Sequence, residues 1–103
     1  EIADGLFQKE TAALLKDDEF RSWLSGVVFA CGDPLAAAGG VAALTLAEMK
    51  PAVLTGVLSC SPMSSAEAYA ATGVPVLTKQ DLSDPAEASA LANSLIHPVA
   101  KVA

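Results

Sequence analysis

Apolar and polar positions come in alternating blocks along this chain, and the block from residue 50 to residue 77, KPAVLTGVLSCSPMSSAEAYAATGVPVL, shows the order most plainly. Residues 52–58 form a short apolar run rich in β-branched side chains between Pro51 and Ser59, too short for an independent helix, and read as a buried parallel strand. A polar loop follows. Ser64 and Glu67 then have capping-box spacing, in which the serine accepts from the N–H three residues on and the glutamate reaches back to the cap. Gly73 suits the left-handed residue that ends a helix, and Val74, Pro75, Val76 and Leu77 resume an extended chain. The block is one β-α-β unit.

The same punctuation recurs on both sides. Leu6, Phe7, Ala13, Leu14 and Leu15 partly follow a 3.6-residue period and predict a first helix capped by Asp4. Asp17, Asp18 and Glu19 interrupt that helix or open a second helical turn; they read as a solvated face, with cation binding as the alternative. Phe20, Trp23 and Leu24 supply a bulky apolar face of the kind that packs on a sheet. Residues 27–31 predict a strand, ended by Gly32, after which Asp33 caps a helix with Pro34 in its first position, running to about Met49. Gly39 and Gly40 weaken that helix, so they predict close approach to a neighbouring backbone. Residues 78–83 read as a polar connection, and Asp84, Pro85 and Glu87 repeat the start signal. The last helix buries Ala88, Leu91 and Leu95 and ends at His97 and Pro98, the histidine compensating the helix dipole or facing solvent.

The resulting order, α-β-α-β-α-β-α, predicts a single α/β domain over residues 1–103: a small three-layer Rossmann-like unit with a three-stranded parallel sheet and right-handed crossovers. Parallel strands collect the helix starts at one edge, where open α/β sheets bind ligands. Candidate ligand-binding residues there are Gly32, Asp33, Pro34, Ser59, Ser61, Ser64 and Ser65, with the loop from 78 to 84 beside them. Backbone N–H groups at helix starts favour anions, carboxylates included.

Composition narrows the classes. The 103 residues are 52% hydrophobic but 5% aromatic, so Ala, Val and Leu carry the apolar content and predict closely packed elements. A net charge of −6, with dispersed basic residues, excludes a phosphate-tracking nucleic-acid surface. Cys31 and Cys60 lie far apart and read as buried free thiols, with a disulfide or a reactive thiol as alternatives. With His97 the single histidine, no metal site is expected. Mean hydropathy is +0.45 and the apolar stretch 23–47 is a formal membrane candidate. Asp33, Pro34 and several glycines interrupt it, which favours a strand and a helix over a span. The chain opens on Glu1, consistent with processing, truncation or a segment of something longer, and shows no signal-peptide pattern.

In its order of segments the chain resembles the second half of precorrin isomerase, the precorrin-8X methylmutase family of cobalamin biosynthesis. VVFACGDP at 27–34 is similar to the family's strand and glycine-polar-Ala-Pro turn, and KPAVLTG at 50–56 to its Lys-Pro-Ala-aliphatic-Gly strand. Residues 64–67, 72–75 and NSLI at 93–96 resemble its Ala-Glu helix, strand entry and terminal helix. Asp33 or Gly32 stands in place of the family's turn asparagine, and Lys79, Gln80 and Asp81 in place of its basic glycine-rich segment. The resemblance implies a carboxylated tetrapyrrole or similar small molecule as ligand and, for an active member, intramolecular methyl transfer by acid catalysis with no cofactor. The family's catalytic histidine lies in a half without counterpart here, so the resemblance assigns no catalytic residue and His97 does not inherit the role. The alternative expectation is a non-catalytic accessory or interaction subunit, a homo-oligomer or part of a larger complex, photosynthetic or respiratory membrane complexes included. The expected compartment is cytoplasm or organelle stroma or matrix, with membrane-complex association as the alternative.

Overall fold

The computed structural model describes Ile2 and residues 5–96. The chain runs through α1 (Lys9–Leu15), α2 (Asp18–Ser22), β1 (Val28–Ala30), α3 (Pro34–Leu46), β2 (Val53–Thr55), a 3-10 turn (Val57–Cys60), α4 (Pro62–Thr72), α5 (Lys79–Ser83) and α6 (Pro85–Ile96). Strands β1 and β2 are parallel, with Val28, Phe29 and Ala30 opposite Val53, Leu54 and Thr55.

The expected third strand does not form. Val76 makes one parallel bridge to Leu54, with the Leu54 N–H donating to the Pro75 carbonyl at 2.8 Å and the Leu77 N–H to the Leu54 carbonyl at 2.9 Å. The extension stops there because Thr78 and Asp81 form a reciprocal capping box that starts α5, in a stretch expected to be a polar connection. The three-layer Rossmann-like reading with its three-stranded sheet is therefore corrected to a mainly helical unit around a two-stranded parallel sheet. Helices α3 and α4 pack together on one face of that sheet, while Val28 and Ala30 on the opposite face of β1 stay exposed.

Caps set most of the boundaries. The Asp33 carboxylate accepts from the Ala36 N–H at 2.8 Å with Pro34 next in line, as the sequence predicts. Helix α3 ends at Leu46, earlier than expected, in a Schellman motif: the Glu48 N–H reaches the Thr45 carbonyl and the Met49 N–H the Leu44 carbonyl, with Met49 packed beside Leu44. Glu48 fills the left-handed position, at φ 60°, that glycine usually takes. Helix α4 starts at Pro62, with Ser61 rather than Ser64 as its cap, because a proline locked at a helical φ begins the helix one turn sooner. Gly73 ends it in the left-handed conformation, as expected. Helix α1 starts at Lys9 without a side-chain cap, so Leu6 and Phe7, expected among its apolar positions, precede it, and Phe7 is exposed. Asp4 and His97 lie outside the described residues. Ala88, Leu91 and Leu95 are the half-buried face of α6.

Two apolar clusters meet at Phe29. Leu54, Leu58 and Val74 with Ala37, Val41 and Ala68 form the larger; Leu15, Leu44 and Met49 form the smaller. Phe29 packs against both, its ring lying where a side chain on Gly40 would have to be. The close approach expected of the glycine pair is thus found at Gly40 only, and to a side chain rather than to a backbone; around Gly39 no group comes within 4 Å of a Cβ position. Gly56 is not inside a strand as expected. At φ 92° it turns the chain out of β2, and a Cβ there would sit 2.9 Å from the Cys31 backbone N and O. Among the described residues, no helix is long and apolar enough to cross a membrane, and the stretch 23–47 is divided between the turn that follows α2, β1 and α3.

Two glycine substitutions should move stability in opposite directions. Gly56→Ala forces a side chain into a glycine-only conformation and is expected to cost about 1–3 kcal/mol. Gly39→Ala, in open space inside a helix, should stabilise by about 0.5–1 kcal/mol. Thermal midpoints of the two variants test this, and equal shifts in one direction would contradict the assignment.

Candidate functional site

The carboxyl ends of β1 and β2 lie side by side because the strands are parallel and in register, and the bridge at Val76 brings the chain before Thr78 to the same side. Gly32, Asp33 and Pro34 follow β1, while Ser59 and Ser61 follow β2. The Cys31 N–H donates to the Thr55 carbonyl and the Leu58 N–H to the Cys31 carbonyl, both at 3.0 Å, so the β1 exit and the turn after β2 are in direct contact. Two of the segments expected to form the site are therefore together.

Their side chains are already occupied. The Asp33 carboxylate and the Ser61 hydroxyl cap α3 and α4, and the buried Ser59 hydroxyl donates to the Gly56 carbonyl at 2.7 Å, closing the 3-10 turn. Ser64 and Ser65 are half-buried in the first turn of α4, where the Ser65 N–H donates to the Ser61 carbonyl at 2.9 Å. Glu67, read as the capping-box partner, lies exposed within α4. Gly32 is exposed with free space around it.

The cysteines differ from each other. Both are free; Cys31 is half-buried against the larger cluster, whereas Cys60 is exposed, so the expectation that both are buried is corrected at Cys60. Burial pushes the Cys31 thiol above the ordinary cysteine value, and the neighbouring Asp33 carboxylate pushes it in the same direction. Cys31 is thereby held as a neutral thiol, the opposite of an activated nucleophile. Among the described residues, no group of three His, Cys, Asp or Glu is placed to hold a metal ion.

The described concavities lie at the other end of the strands. One, of about 540 Å³, is lined by Asp18, Arg21, Leu24, Val27, Glu48 and Lys50 among others, where the chain enters β1 and leaves α3. A second, of about 450 Å³, lies beside Leu46 and is walled by Leu15, Lys16, Ala43 and Ala47. Arg21 and Glu48 border both and form an ion pair at 3.3 Å. That pair spans residues far apart in sequence and depends on how α2 meets the end of α3, so no local pattern announces it. The large exposed apolar side chains, Leu35, Leu46, Val57, Met63 and Tyr69 among them, were legible only in part: α3 carries no charged residue at all.

No family model, curated protein or solved structure matches the chain.

The cap roles make a stability prediction. Asp33→Ala and Ser61→Ala should each destabilise by about 1 kcal/mol through loss of an N-cap. Glu67→Ala, on an exposed helix face, should change stability by no more than about 0.5 kcal/mol. Chemical denaturation of the three variants checks this; a Glu67 effect as large as the other two would restore the capping box at Ser64.

Proposed function

We propose that the chain is a non-catalytic interaction subunit, which buries its outward apolar side chains against other protein. The observation that carries this reading is the distribution of apolar surface. Phe7, Trp23, Leu35, Leu46, Val57, Met63 and Tyr69 are each more than half exposed, while the described core is built largely from Ala, Val and Leu. Isolated exposed apolar residues are ordinary, but this many large ones on so small a unit favour an assembly partner. The polar side chains at the expected ligand edge are taken up by capping and turn closure, which favours a structural task for them. In native extracts of its source the chain is expected to elute in an assembly well above its own 10.4 kDa. Trp23→Ser, Val57→Ser and Met63→Gln should release it without unfolding it. Elution as a free single chain, unaffected by these changes, would remove the reading.

A second reading rests on the meeting of the β1 exit with the turn before α4. There the starts of two adjacent helices, α3 and α4, can offer backbone N–H groups to a carboxylated ligand such as a tetrapyrrole, in line with the resemblance to precorrin isomerase. Absorbance titration with a tetrapyrrole carboxylate tests it. Saturable binding weakened by Ser61→Trp is expected, and a linear, unsaturable response would dismiss it.

A further inference from the structure

Residues 5–24, which carry α1 and α2, are tied to the rest of the described chain by very little. Every backbone hydrogen bond described for them closes within the segment, as those from Ala12 to Gln8 and from Arg21 to Asp17 do, whereas from Val27 onwards the chain is bonded into the sheet. Among the described residues, one side-chain hydrogen bond crosses the divide: the Arg21 guanidinium donates to the Glu48 carboxylate at 3.3 Å. Apolar packing across it is confined to the smaller cluster, where Leu15, with Leu6 and Phe20 beside it, meets Leu44 and Met49. The larger cluster takes no side chain from this segment.

The seam is loosely filled. Open space lies on both sides of the ion pair, about 540 Å³ towards Val27 and Lys50 and about 450 Å³ towards Ala43 and Leu46. At its far end the chain is held at Gly26, whose backbone lies so close to the Leu95 side chain that a Cβ there would collide with it, while residues 23–25 belong to no helix or strand. Glu48 is the costly part. Glycine takes the left-handed position of a Schellman motif without steric penalty, yet a glutamate holds it at φ 60° with its side chain largely exposed. The fold thus keeps a carboxylate in a strained place, and what that carboxylate meets among the described residues is Arg21.

We propose that α1 and α2 form a clasp that opens as one unit about residues 23–26 while the sheet, α3 and α4 stay folded, and that Arg21 with Glu48 is its latch. Segments with few buried contacts open in this way below the free energy of global unfolding. Opening uncovers Leu44 and Met49 and joins the two concavities into one groove along the end of α3. An exposed ion pair is a weak bond, so the latch sets how often the clasp opens and does not by itself hold the fold. The clasp needs no partner and stands apart from the interaction reading.

Native-state hydrogen exchange of the full chain at fixed pH tests this, read at the α1 and α2 amides and at the Leu54 N–H, which donates to the Pro75 carbonyl within the larger cluster. In the unaltered chain residues 12–15 and Arg21 should share one opening constant, larger than that of Leu54. Glu48→Gln keeps the backbone strain and removes the charge, and should raise that shared constant about two- to fivefold. Glu48→Gly should raise it by the same factor, because α3 and its cap stay folded in the opened state. At Leu54, where exchange requires α3 to unfold, the glycine variant should instead exchange more slowly than the glutamine variant, since glycine removes a strain that the unfolded chain does not carry. Arg21→Glu combined with Glu48→Arg should restore the original opening. In about 1 M salt, where charges act over about 3 Å, the difference between Glu48→Gln and the unaltered chain should largely disappear. An α1 opening indifferent to Glu48→Gln, unrelated constants for α1 and α2, or glutamine and glycine variants that separate at α1 as they do at Leu54 would each overturn the proposal. Should the Glu48 variants fail to fold, the unaltered chain decides: a shared constant for α1 and α2 above that of Leu54 supports the clasp, and one equal to that of Leu54 contradicts it.

Discussion

The contact between Phe29 and Gly40 sets the rest of the packing. Phe29 is the central residue of β1 and touches both apolar clusters, and its ring fits only because the facing position on α3 has no side chain. Overpacking at such a point typically costs about 1–3 kcal/mol, so the choice of glycine outweighs its weak helix propensity. Once α3 lies this close to the sheet, Ala37 and Val41 reach Leu54, Leu58 and Val74, and Leu44 reaches Leu15 and Met49. The two-stranded sheet offers little ladder bonding by itself, and the helix lying across it is what makes it a core element.

The same packing leaves a finished side and two open faces. On the finished side, the Asp33 and Ser61 caps and the Ser59 turn bond absorb the polar groups, and Gly56 lets the chain leave β2 against the Cys31 backbone. The open faces are opposite each other: the outer face of α3 shows Leu35 and Leu46 to solvent, and the far face of β1 shows Val28. A small domain gains stability in proportion to the apolar surface it removes from water, and a unit this small with so much of that surface outward gains most from assembly.

Local chemistry was legible in the sequence wherever it was self-contained. Asp33 with Pro34 and Gly73 follow from rules that need only neighbouring residues, and the parallel pairing of the segments around Phe29 and Leu54 from the strand-helix-strand order of the chain. Where two local signals competed, the reading failed: Ser64 and Glu67 have capping-box spacing, but Ser61 followed by Pro62 starts the helix first. The third strand was lost for a similar reason, since the Thr78 and Asp81 box claims the chain just after one bridge at Val76. The 3-10 turn was hidden because a strand of β-branched residues and a short turn at a positive-φ glycine share the same apolar composition. The candidate ligand edge was legible as a location but not as a function, because a cap and an anion ligand call for the same side chains. Arg21 with Glu48 had no local signal, whereas the uncharged length of α3 was readable from the first but shows its meaning only when the buried face is known.

The most direct measurement of this account is the proximity of Phe29 to Gly40 in solution. Nuclear Overhauser spectroscopy should show cross-peaks between the Phe29 ring protons and the Gly40 α-protons, with those α-protons displaced upfield by the ring current. Cross-peaks from the Phe29 ring to Leu44 and to Leu54 should accompany them, since the ring serves both clusters. A Gly40 α-proton pair at ordinary shifts, with no cross-peak to the Phe29 ring in the folded chain, would contradict the packing of α3 on the sheet and everything built on it.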